Sequence, residues 1–169
     1  MAMEKLDHPD IHVFLAAVGW LELGNTAEAR AELSHISPAQ QENPDVLELR
    51  WSIAVQAQDW EEGLQAAQAL LRNAPHRSSG WLHQAYALRR VPGGGIEKAW
   101  AALRPAYEKF PSEVLIAFNL SCYACQLQQL DVARDWLNRA MDAAGKEKIK
   151  KMALKDEDLQ PLWEEIRKY

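Results

Sequence analysis

Cysteine is scarce in this chain. Cys122 and Cys125 are the only two, so no disulfide framework can staple the fold. An excess of base is also missing: 19 Lys and Arg stand against 24 Asp and Glu, for a net charge of −5. That balance argues against a nucleic-acid or anionic-membrane binder, whose affinity rests on clustered cations. No apolar run is long enough to span a bilayer. The longest near the start, Val13 to Leu21, falls well short. The opening Met1-Ala-Met-Glu-Lys-Leu-Asp7 lacks the basic start and apolar stretch of a signal peptide. Glycine and proline, eight of each, gather between apolar runs, where they punctuate structure and do not mark a disordered tract. These absences together predict a reduced, cytoplasmic chain folded as one domain over residues 1–169.

Tryptophan, by contrast, is abundant. Seven are spread along the chain, at 20, 51, 60, 81, 100, 136 and 163, as a distributed core requires. A pattern of small and apolar residues recurs four times: Ala29, Leu33, Ile36; Gly63, Ala67, Leu70; Ala99, Leu103, Ala106; Ala133, Leu137, Ala140. Offsets of four and seven fall on one face of a helix, so each triplet predicts a buried stripe. The first members lie 34, 36 and 34 residues apart, a regularity that signals an internal repeat. A second helix precedes each stripe, with seams at Ala16, Ala17 and Trp20, at Trp51 and Ala54, at Ala85 and Leu88, and at Leu120, Ser121 and Ala124. Turns separate the paired helices at Gly24-Asn25, Gln58-Asp59, Pro92-Gly-Gly-Gly95 and Gln128-Gln129. The third turn is longer and accounts for the extra residues of that unit. Breakers at Asn43-Pro44, Pro75 and Pro111 divide the units.

At this point the chain resembles the tetratricopeptide repeat family. Gln58-Asp-Trp-Glu-Glu-Gly63 running through Leu70 to Pro75 is similar to that family's second helix and closing proline, and Asn119-Leu120-Ser121 with Ala124 to its first helix. The resemblance covers roughly residues 10 to 145. It implies an all-α right-handed superhelix of antiparallel helix pairs, with repeats at about 10–43, 44–77, 78–111 and 112–145. Arg50-Trp51 departs from the family pattern, and Pro105 inside a second helix predicts a kink. Residues 146–169 then read as capping helices, the second with an acidic start, a first-turn Pro161 and a Leu162, Ile166 stripe. The N-terminal edge has no such cap, which points to a homodimer or a partner seat there.

In this family the first helices line a concave groove. The resemblance therefore places the binding face on Phe14, Val18 and Leu21; on Glu48, Ser52 and Val55; on Leu82, His83, Tyr86, Arg89 and Arg90; and on Phe118, Asn119, Cys122 and Gln126. Aromatics beside guanidiniums suit a peptide or partner helix, and Arg89 with Arg90 suits a carboxylate gripped in bidentate fashion. The expected function is a protein-interaction module or adaptor with no cofactor, no metal and no catalysis. A secretion-type tetratricopeptide chaperone is the alternative, and a thiol- or metal-dependent enzyme using Cys122 and Cys125 is a further one. The Cys-x-x-Cys pair sits mid-helix, away from the N-terminal dipole that activates such thiols, and lacks two further zinc ligands. His8 and His12, four apart, precede or open a helix and make a poor metal pair. Pro92-Gly-Gly-Gly95 has no following Gly-Lys-Ser/Thr and follows no strand, so it cannot cradle a phosphate as a P-loop does.

Overall fold

The computed structural model describes residues 6–168. They form helices and turns with no strand among the described residues, and none of these helices is long and apolar enough to cross a membrane. The chain divides into two compact units, one ending at Ala87 and the other beginning at Leu88.

The first unit holds α1 (Asp10–Glu22), α2 (Thr26–Leu33), a 3₁₀ turn (Pro38–Gln40), α3 (Pro44–Gln56), α4 (Trp60–Asn73) and most of α5 (Ser78–Leu88). Consecutive helices pack on one another, α1 on α2, α2 on α3 and α3 on α4. Their start points follow from local chemistry. Asn25 accepts a hydrogen bond from the Glu28 amide, and Asp59 one from Glu62, each an N-cap worth about 1 kcal/mol. Pro44, at the first position of α3, gives up an amide that no helix could have used. Asp10, buried at the start of α1, accepts from both the hydroxyl and the amide of Ser37 at 2.6 and 2.8 Å. Those bonds hold its carboxyl below the usual carboxylate value and tie the loop after α2 to α1.

The second unit runs through α6 (Ile96–Leu103), α7 (Ala106–Lys109), α8 (Val114–Gln126), α9 (Leu130–Ala144), α10 (Lys146–Ala153), a 3₁₀ segment (Glu157–Leu162) and α11 (Trp163–Ile166). The kink expected at Pro105 is a full break between α6 and α7, because proline has no amide to continue the ladder. Antiparallel α8 and α9 are joined inside the core by a buried hydrogen bond from Ser121 Oγ to the Ala133 carbonyl at 2.8 Å. Pro161 does not open a helix as expected. It lies inside the 3₁₀ segment, and α-helix begins only at Trp163, although Leu162 and Ile166 are both buried.

Three of the helix–helix turns are built alike. The amides of Gly24, Gln58 and Gln128 donate to the carbonyls of Leu21, Val55 and Cys125. The next amides, Asn25, Asp59 and Gln129, donate to Trp20, Ala54 and Ala124. This is the Schellman closure, and it requires left-handed backbone at the first residue of each turn. Gly24 takes φ +80° without cost, whereas Gln58 and Gln128 take φ of 57° and 60° against a clash of about 1 kcal/mol. Gln58→Gly and Gln128→Gly are each expected to stabilise the protein, raising Tm by about 2–4 °C. Calorimetry that shows no rise for either variant would contradict this account of the turns.

Candidate functional site

In the first unit, α3 and α5 bring together a cluster of aromatic and polar side chains. Residues 31–35 positions apart lie side by side on these two helices. The Trp51 and His83 rings stack with centroids 3.5 Å apart and an interplanar angle of 12°. Tyr86 meets Trp51 edge-on at 6.2 Å and Trp60 at a tilt, 5.8 Å away. Glu48 accepts from Ser79 Oγ and from His83 Nε2, the latter at 2.7 Å. Burial alone would push the Glu48 carboxyl up. The hydrogen bonds from His83 and Ser79, with the charges of His83 and Arg77, outweigh it and hold the group below the usual carboxylate value. Below this cluster Arg77, almost wholly buried, pairs with Asp45 at 2.7 Å.

Ser79 donates to Glu48, so the carboxylate sits where a nucleophilic triad would need the imidazole. What remains is a half-buried stacked platform with a fixed carboxylate on one side. Trp51 Nε1 is buried without a hydrogen-bond partner. Ser52, which donates back to the Glu48 carbonyl at 2.9 Å, and Val55 are half-buried on the same helix. Leu82, His83 and Tyr86 are half-buried on α5. The expected face omits Trp51 and Ser79. Both could have been found by asking which residues stand 31 or 32 positions from Glu48 and His83.

On α1 the expected face must be corrected. Phe14 is buried in the core with Ala17, Ala29, Leu33 and Ile53, and Val18 and Leu21 pack partly against it. The expected seam residues Ala16 and Trp20 are exposed instead. Ala16 and Ala17 are both small, and composition alone cannot tell which of two adjacent alanines points inward.

On α8 the correction has another cause. The 3₁₀ segment packs on this helix, so Phe118 and Cys122 are buried by the chain's own residues. Arg89 grips Asp158 with two hydrogen bonds of 2.6 and 3.1 Å, and its guanidinium stands 5.6 Å from the Tyr123 ring centre. The expected bidentate grip of Arg89 thus exists, on a carboxylate of the same chain. Gln126 Nε2 donates to the Asp158 carbonyl at 3.2 Å, while Asn119 is half-buried. Arg90 is half-buried at the end of the same stretch. The Asp158 bonds hold Arg89 protonated more firmly than usual, against the effect of burial.

Cys122, Asp156 and Asp158 bring one ligand atom each within 4.8 Å of one another. A divalent cation would have to displace Arg89 from Asp158. Burial, reinforced by both carboxylates, also pushes the Cys122 thiol far up, and burial raises Cys125. The Tyr123 hydroxyl is pushed up to about 12, chiefly by burial. Both cysteine shifts favour the protonated thiol over the thiolate.

A third feature lies on α2, α3 and α4 of the first unit. A cleft of ≈ 440 Å³ has a floor of Leu33, Ile53, Ala66 and Ala69 and a rim that includes Arg30, Arg50, Arg72, Glu42 and Glu62. Arg30 pairs with Glu62 and, at 3.4 Å, with Asp59. In comparison with known proteins, no family model matches the chain and no curated protein matches it.

Proposed function

We propose that this chain is a tetratricopeptide-type repeat protein, four helix pairs and a C-terminal cap wound as a right-handed superhelix. In this reading it acts as a non-enzymatic adaptor that binds a peptide or a partner helix in the cytoplasm. Support for the repeat comes from the shared Schellman turns at Gly24, Gln58 and Gln128 and from the buried Ala29, Gly63, Ala99 and Ala133 at matching positions. The binding face proposed here is narrower than the sequence expectation. It centres on Glu48, Ser52 and Val55 of α3 with Leu82, His83 and Tyr86 of α5.

The observation that carries it is the Trp51–His83 stack fixed by Glu48. An aromatic surface held rigid before a partner arrives loses little rotamer freedom on binding, which is how a few residues come to dominate an interface. His83→Ala removes both the stack and the Glu48 contact. It is expected to weaken partner binding about 30-fold, the loss of roughly 2 kcal/mol typical of a hot spot. A photo-crosslinking residue at Val55 should capture that partner, and one at exposed Gln68 on α4 should not. Equal capture at the two positions, or unchanged affinity in a folded His83→Ala protein, would place the face elsewhere.

A further inference from the structure

Large apolar side chains left in water are rare in the described part of this molecule, and most share one helix. Leu15, Trp20 and Leu23 are 54%, 38% and 77% exposed. Among the described residues only Leu115, on α8, joins them as an exposed large apolar side chain. With His12, Ala16 and Gly19 they fall at 12, 15, 16, 19, 20 and 23, one stripe along α1 and its C-cap.

The spacing of the stripe is the same in both directions, with small residues at its centre and large apolar ones on either side. About a point between Ala17 and Val18, Ala16 exchanges with Gly19, Leu15 with Trp20, and His12 with Leu23. A surface that matches itself under a half-turn is what an isologous twofold contact requires. We propose that α1 is the contact through which two copies of this chain pair, with the two α1 helices antiparallel.

Three further observations favour a second copy as the occupant. The centre of the stripe is low: a Cβ placed on Gly19 would meet no atom within 4 Å, so the partner's Ala16 can come close. The flanks are compatible, because the antiparallel register sets His12 of one copy, whose ring N–H can donate, beside the Glu22 carboxylate of the other and places no Lys, Arg, Asp or Glu within the stripe. Antiparallel helices also oppose their dipoles. The size of the patch sets the strength. A 13-residue helix is about 20 Å long and offers well under the roughly 800 Å² per partner of a standard interface. The dimer is therefore a weak one, with a dissociation constant in the micromolar range or above.

Sedimentation equilibrium of the full chain across a wide concentration range tests this. The wild type is expected to move from monomer to dimer, and Leu15→Glu to weaken the association at least about tenfold. Leu115→Glu, which alters the exposed leucine outside the stripe, is expected to leave it unchanged. Register is read separately by mixing Ala16→Cys with Gly19→Cys protein under mild oxidation. The mixed disulfide should exceed that of Leu23→Cys with itself, since the native thiols are buried. A wild type that stays monomeric at the highest concentration overturns the proposal. So does a Leu15→Glu protein that pairs as well as wild type, or a Leu23 homodisulfide that prevails, which would mean a parallel pair.

Discussion

Arg89→Ala is expected to destabilise the second unit by about 3 kcal/mol, at the lower end of the range for breaking a buried pair. The guanidinium holds both oxygens of Asp158 and lies over Tyr123. Without it, Asp158 faces Asp156 and Cys122 within 4.8 Å and has no cation between them. Both partners are between a fifth and a quarter exposed, so solvent relieves part of the cost and the upper end of the range is not reached. Arg89→Lys keeps the charge but loses the fork, and should recover only part of the difference. Urea denaturation followed by tryptophan fluorescence measures the change, with Trp100, Trp136 and Trp163 reporting from this unit. Trypsin should also cut sooner at Lys155 in the variant, because the following segment loses its anchor. An unchanged midpoint together with an unchanged cleavage rate would show that the pair does not hold the segment in place.

Gly94→Ala is expected to cost about 2–3 kcal/mol, as overpacking against atoms that cannot yield does. The turn after α5 folds tightly, with Gly94 N–H donating to Val91 and Gly95 N–H to Leu88, both at 2.9 Å. That closure carries the Leu88 carbonyl over Gly94. A Cβ there would lie 1.9 Å from the Leu88 oxygen and 2.9 Å from that of Val91. Both obstacles are backbone, so relief requires rebuilding the turn. Gly93 supplies the comparison. Its φ is +70° but nothing lies within 4 Å of an added Cβ, so Gly93→Ala should cost only about 1 kcal/mol. Thermal melts that rank the two variants in the opposite order would refute the assignment.

Much of the helical framework was legible because it is written locally. Small residues at offsets of four and seven mark α2, α4, α6 and α9, and Ala29, Gly63, Ala99 and Ala133 are all buried. Turn residues mark the boundaries, and Asn25 and Asp59 cap where their chemistry predicts. The phase of α1 was not legible. Ala16 and Ala17 offer equal volumes, and the choice is made by Phe14 reaching the same core as Leu33 and Ile53. Nor was the cover over α8 legible. The contact between Arg89 and Asp158 spans 69 positions and leaves no periodic trace. The Trp51–His83 stack lies between these cases. Its spacing is regular, but Arg50-Trp51 departs from the repeat pattern, so the residue type gave no hint of the partner.

The burial of α8 has a consequence for the order of events during synthesis. Phe118, Cys122 and the Tyr123 ring reach their final surroundings only when residues 156–162 lie over them. A ribosome adds about 5–20 residues per second, so roughly a few seconds separate the making of α8 from the making of the segment that covers it. Until that segment docks, α8 has an apolar flank open to off-pathway association. Asp156 and Asp158 arrive with that segment, the latter closing onto an arginine made nearly seventy residues earlier.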